Sequence, residues 1–92
     1  MERDFADVLA LDALAWLAGE EALLPAFLGS SGLTEADLRA RAADPDVLAA
    51  VLDFILADDG QVISFSSAAG VAPERVAEAR AALPGGMLPH WT

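Results

Sequence analysis

The residues of this chain that could carry chemistry are few, and most are carboxylates. The run Asp58-Asp59-Gly60-Gln61-Val62-Ile63-Ser64 has the acid, glycine and hydrophobic order found at the centre of an EF-hand calcium loop. With Gly60 as the sixth loop residue, the first, third and twelfth positions fall on Ile55, Ala57 and Ser66, so two acidic ligands and the bidentate glutamate are missing. The run reads instead as a solvated turn between helices. Transition metals require His, Cys or converging carboxylates, and the chain has no Cys and a single His, His90, beside Trp91. No metal and no other cofactor is expected. Ser30, Ser31, Ser64, Ser66 and Ser67 lack a G-x-S-x-G elbow and share that one His, so they read as helix-face and cap residues rather than nucleophiles. Asp12 and Asp53 each interrupt an apolar helix and are the candidates for acid–base work. Asp12 falls on a polar arc with Asp4 and Asp7, and Asp53 is expected to reach water or a backbone donor. No catalytic residue follows from either.

Charge narrows the partners. The formal charge is −10, and the five basic residues are all Arg: Arg3, Arg39, Arg41, Arg75 and Arg80. A field of that sign repels phosphate backbones and anionic lipid, which are bound through clustered Lys and Arg, so neither nucleic acid nor a membrane surface is an expected partner. Gly32-Leu33-Thr34 followed by a helix bearing Arg39 and Arg41 has the outline of a DNA-reading element, but both arginines follow an acid at i−4. The first residues, Met-Glu-Arg-Asp-Phe-Ala-Asp, lack the basic and apolar regions of a secretory signal, which makes the expected location cytoplasmic.

The elements that must position these side chains read as helices throughout. Asp44 is a natural N-cap, Pro45 suits the first helical position, and from Val47 onward only Asp53 is polar until Asp58. That stretch, Asp44 to Leu56, is too short for a membrane span of roughly 20 residues and reads as a core helix. The first helix is expected over Asp4 to Ala18, with Phe5, Leu9, Ala13, Trp16 and Leu17 inward and Gly19 as C-cap. A second is expected from Glu21 to Ser30, with Pro25 tolerated near its first turn and Gly32 ending it. Thr34-Glu35-Ala36-Asp37 opens a third, running to Ala43, with Glu35–Arg39 and Asp37–Arg41 pairs and Leu38 to dock it. The last helix begins at Pro73 and runs to Leu83. Val62, Ile63 and Phe65 favour a strand locally.

An offset of 38 residues overrules that local preference. It lays Leu14 on Leu52, Trp16 on Phe54, Phe27 on Phe65, Gly32 on Gly70 and Leu38 on Val76, without a gap. Core, cap and turn positions match together, as in a repeated supersecondary unit. Ser64 to Ala69 is therefore expected to be helical. The expectation is an all-α compact bundle of about six helices in one domain, residues 1–92, built as two three-helix units over 9–45 and 47–83, with a short tail. High Ala content argues for close helix packing.

Three blocks carry a family resemblance: Leu38-Arg39-Ala40-Arg41-Ala42-Ala43-Asp44-Pro45, Val51-Leu52-Asp53-Phe54-Ile55-Leu56-Ala57-Asp58, and Ala81-Ala82-Leu83-Pro84-Gly85-Gly86 with the late Trp91. From about Leu11 to Trp91 the chain resembles a domain-of-unknown-function family (family 3572) of small bacterial proteins. The resemblance implies a compact all-helical fold and no assigned catalytic or binding residue. Pro25 departs from the pattern, where a proline nearer the helix start is expected.

The functional expectation is a non-enzymatic protein–protein interaction module, with a heterologous protein or a second copy as partner. Its support is the surplus of large apolar residues outside the helical stripes, Leu11, Leu23, Met87, Leu88 and Trp91, since Met and Trp favour interface cores. Met87, Leu88, His90 and Trp91 are the candidate contact residues. The alternative is a small-ligand pocket lined by Trp16, Phe27, Phe54 and Phe65.

Overall fold

Side-chain caps mark the starts of three of the six described helices. The computed structural model describes residues 1–84. Its elements are α1 (Arg3–Ala18), α2 (Leu23–Ser31), α3 (Glu35–Ala40), α4 (Pro45–Leu56), α5 (Asp59–Ala69) and α6 (Glu74–Ala82), and the described residues form no strand. The fold is all-α. For α4, the Asp44 carboxylate accepts from the Asp46 N–H at 2.8 Å with Pro45 at the first position. At α3 the Thr34 hydroxyl accepts from the Asp37 N–H at 3.1 Å, and the Asp37 carboxylate accepts from the Thr34 N–H at 3.0 Å. This reciprocal box satisfies two amides that the first turn would otherwise leave without partners.

Boundaries depart from expectation in three helices. Asp58 accepts from the Gly60 and Gln61 amides at 2.7 and 3.3 Å, which makes it an N-cap and starts α5 at Asp59. The Asp58-Asp59-Gly60 run is thus a helix start and not a turn. The first turn of α2 begins at Leu23, later than expected, which places Pro25 third in the helix, where a missing amide hydrogen costs nothing. Helix α3 stops at Ala40, short of Ala43. Arg41 then reaches forward to Asp44 at 3.2 Å instead of back to Asp37, whose carboxylate is held in the box.

The N-caps also set a pH response. The Thr34 backbone N–H, then its hydroxyl, hold the Asp37 carboxyl below the ordinary carboxylate range, and the Asp46 N–H, then Arg41, do the same for Asp44. A carboxylate whose folded pKa is depressed contributes stability above its unfolded pKa of about 3.9 and loses it as pH falls through the folded value. In urea titrations from pH 5 to pH 2, the Asp37→Asn/Asp44→Asn double variant should therefore lose less stability than the parent. An equal loss would show that the two caps contribute nothing to the acid limb.

Both helices that run into loops through a left-handed residue use glycine, Gly32 at φ 78° and Gly70 at φ 72°. No side chain would meet a neighbour at either site, so the requirement is conformational and not one of space. Gly32 and Gly70 are equivalent under the 38-residue offset. So are the ends of α1 and α4, at Ala18 and Leu56, and of α2 and α5, at Ser31 and Ala69.

At the centre α1 packs against α4 and α6, and α4 also covers α5 and α6. The seam on α1 is lined by small residues: Ala6, Ala10 and Ala13 are fully buried, flanked by Leu9, Leu14 and Leu17. Opposite them lie Val47, Leu48, Val51, Leu52 and Ile55 of α4 and Val76 and Ala79 of α6, all buried. Phe5 is not part of this core. It is 67% exposed, because the buried arc centres on the alanine row and Phe5 lies about a quarter turn outside it. The offset correspondence breaks at α3 and α6. Ala79 of α6 and Leu83 at its C-cap are buried, whereas the equivalent positions are Arg41 and Pro45, which leaves α3 with Leu38 alone to dock it.

Candidate functional site

The aromatic side chains form packed pairs between the two halves. The Trp16 and Phe65 rings lie 5.7 Å apart, and Phe27 meets Phe54 edge-on at 5.5 Å. The 38-residue offset carries one pair onto the other, so the ring from α2 meets α4 and the ring from α5 meets α1. Phe27 and Phe65 are buried, Trp16 and Phe54 half-buried, and neither groove described below is lined by any of the four.

The acid–base candidates are placed apart and engaged differently. Asp53 on α4 accepts two hydrogen bonds from Arg80 of α6, from Nε at 2.6 Å and Nη2 at 3.2 Å. Its partner is thus a guanidinium, not the water or backbone donor expected from sequence, and the pair ties α6 to α4. Arg80 Nη1 also donates to the Pro84 carbonyl at 3.4 Å. Asp12 is exposed on α1. Ser64 and Ser67 are exposed on α5, while the other serines take local hydrogen bonds or a buried place. Ser30 donates to the Phe27 carbonyl at 3.2 Å, and Ser31 Oγ accepts from the Leu33 N–H at 3.2 Å. Ser66 is buried. Arg39 lies 4.0 Å from Glu35, so both arginines of the supposed DNA-reading element face carboxylates. Among the described residues no group of three or more His, Asp or Glu side chains is arranged to hold a metal ion. No described helix is long and apolar enough to cross a membrane. The candidate contacts Met87, Leu88, His90 and Trp91 lie outside the described residues.

The surface feature that sequence reasoning missed is at the N-terminal half of α1. An open groove of about 660 Å³ runs between that half of the helix and the connection from α5 to α6. Met1, Phe5, Val8 and Leu9 line one wall, and Gly70, Val71 and Ala72 the other. Phe5 and Val8 are 67% and 58% exposed, a degree of exposure unusual for two neighbouring large apolar side chains on one helix face. Glu2 and Asp12 mark the two ends of the α1 wall, and Arg75 stands across from them, paired with Glu78 at 2.8 Å. The left-handed Gly70 turns the chain so that Val71 and Ala72 face α1. Leu11, expected at the surface, is exposed, whereas Leu23 packs against the core. The alanine row Ala6-Ala10-Ala13 is the signal that would have placed Phe5 and Val8 off the buried arc.

A second, smaller groove of about 220 Å³ occupies the offset position in the other half. It is lined by Leu33, Val47 and Ala50 with Ser31, Arg41 and Asp46. Leu33 corresponds to Val71 and Val47 to Leu9. Where the first groove has Phe5, Val8 and Asp12, the second half has Ala43, Asp46 and Ala50. Both grooves have apolar lining, and only the first carries large exposed side chains, Phe5 and Val8.

Over residues 3–86 the chain matches the model of the family described as "Protein of unknown function (DUF3572)", and it belongs to that family. Neither the curated proteins nor the solved structures contain a match to it.

Proposed function

We propose, starting from a family that carries no assigned activity, that this protein is an interaction module that binds another protein through the α1 groove. The observation that supports the reading is the pair Phe5 and Val8, left uncovered beside a concave wall while the alanines of α1 face the core. Burial of one large apolar side chain is worth about 1.5–3 kcal/mol, so two of them on a concave surface supply an anchor of the kind found at interface centres.

The test is affinity capture with three baits: the parent, Phe5→Asp, and Ile63→Asp on α5, where Ile63 is also exposed. Phe5→Asp should lose the captured partner by at least about tenfold with an unchanged melting temperature, and Ile63→Asp should retain it. Retention by Phe5→Asp, or equal loss by both variants, would refute the groove as the contact.

A further inference from the structure

The geometry points to the occupant of the α1 groove being a basic amphipathic helix of another protein, about three turns long, that lays its apolar stripe on Phe5 and Val8 and its flanking Lys or Arg side chains on Glu2 and Asp12. It rests on the interaction reading above and adds to it the chemistry of the partner. Four observations carry it.

The first is length. Glu2 and Asp12 bracket the apolar wall, and the intervening stretch of α1 spans about 15 Å, or nearly three helical turns. The second is the state of the bracketing carboxylates. Among the described residues neither Glu2 nor Asp12 has an ion-pair partner, whereas Arg75 is engaged by Glu78. The third is the net field. At −10 the chain attracts a cationic segment and repels a second copy of itself, which argues against self-association through this face. The fourth is the internal comparison. The offset groove carries Asp46 in place of Val8 and Ala50 in place of Asp12, and the nearby Arg41 is neutralised by Asp44, so large exposed apolar side chains flanked by an acid at each end occur on one side only.

The described residues offer no sheet edge for strand addition, and Phe5 is the single aromatic ring of the groove, too few for a polyproline-binding track. Helix-in-groove recognition is the mode that fits this groove, with anchors at helical spacing meeting an apolar wall between two carboxylates.

The test uses the full chain and four synthetic probes. One is an amphipathic peptide of about three to four turns with a leucine stripe and Lys at both ends. The second replaces those Lys with Glu, the third keeps the Lys and scrambles the stripe, and the fourth is the segment of residues 85–92. Amide and methyl NMR shifts locate binding, and fluorescence anisotropy measures it at low salt and at about 0.5 M salt. The Lys-flanked peptide should bind saturably with shifts confined to the first half of α1 and residues 70–75. It should bind at least about tenfold tighter than the Glu-flanked or scrambled peptide and weaken in high salt. Glu2→Lys/Asp12→Lys should reverse the preference toward the Glu-flanked peptide, a result that a merely sticky surface does not give.

Equal binding of the Lys- and Glu-flanked peptides, or shifts outside the groove, overturns the inference. Groove shifts produced by the 85–92 peptide alone, or by raising the protein's own concentration, name the chain's own tail or a second copy as occupant and overturn it too. If the Lys-flanked peptide fails while Phe5→Asp still abolishes capture, the partner chemistry falls and the interaction module stands.

Discussion

Replacing Phe65 or Phe27 with Ala is expected to lower the unfolding free energy by about 3–5 kcal/mol each, as for other buried aromatic truncations. Each ring is 1% exposed and fills the space between a helix of its own half and one of the other half. Truncation removes the transfer energy of the ring, and the surrounding helices cannot collapse into the void without moving α1 against α4. A domain of this size has a total stability on the order of 5–15 kcal/mol, so either variant approaches the threshold of folding. The ring pairs also predict how the loss is distributed. Phe65 should couple to Trp16, and Phe27 to Phe54, by roughly 0.5–1.5 kcal/mol in double-mutant cycles. Because both pairs cross between the halves, urea unfolding should remain a single transition in every variant that folds. A loss below about 1 kcal/mol, or separate transitions for the two halves, would contradict the cross-packed arrangement.

The second large effect inverts what side-chain size suggests. Ala10→Leu should destabilise by about 1–3 kcal/mol or more, while Phe5→Ala should change stability by no more than about 0.5 kcal/mol. Ala10 is fully buried on the face of α1 turned to α4 and α6, and added methylenes there must push helices apart that now touch through methyl groups. Phe5 is mostly in water, and its removal takes away surface rather than core. Urea midpoints for the two variants decide the matter. If Phe5→Ala proves the costlier, α1 is rotated relative to the core described above, and the groove loses its apolar wall.

Much of the fold is legible along the chain because its causes are local. Asp44-Pro45 and Thr34-Glu35-Ala36-Asp37 start helices through hydrogen bonds that reach two or three residues, and Gly32 and Gly70 end them because the required φ is positive. The helical spacing of Leu9, Ala13 and Leu17 marks them as inward, and all three are buried. Ser64 to Ala69 is helical, as the offset match to α2 predicts against local strand propensity.

The errors share a different cause. Apolar spacing on α1 admits Phe5 and Leu9 in one stripe, and the direction of that stripe is set by which side α4 and α6 approach. They approach the alanines, since small residues allow the closest contact of backbones and so the greatest burial of Val47, Leu48, Val51 and Val76. Likewise, the partner of Asp53 is Arg80, 27 residues away, a distance no local pattern spans. The groove is beyond the reach of sequence for the same reason. Its walls come from residues 1–12 and 70–75, which meet only when α6 lies along α1.

By itself, then, the sequence determined the helical class, the capped starts of α3 and α4 and the glycine stops of α2 and α5, the acidic field and the family blocks, all of which depend on neighbours within a turn or on sums over composition. Tertiary structure alone decided which arc of α1 faces inward, which carboxylate meets a guanidinium, and that two large apolar side chains remain uncovered beside a concave wall. Those outcomes depend on how helices far apart in the chain pack to maximise burial, and the rotation of a helix about its own axis is a property of that packing.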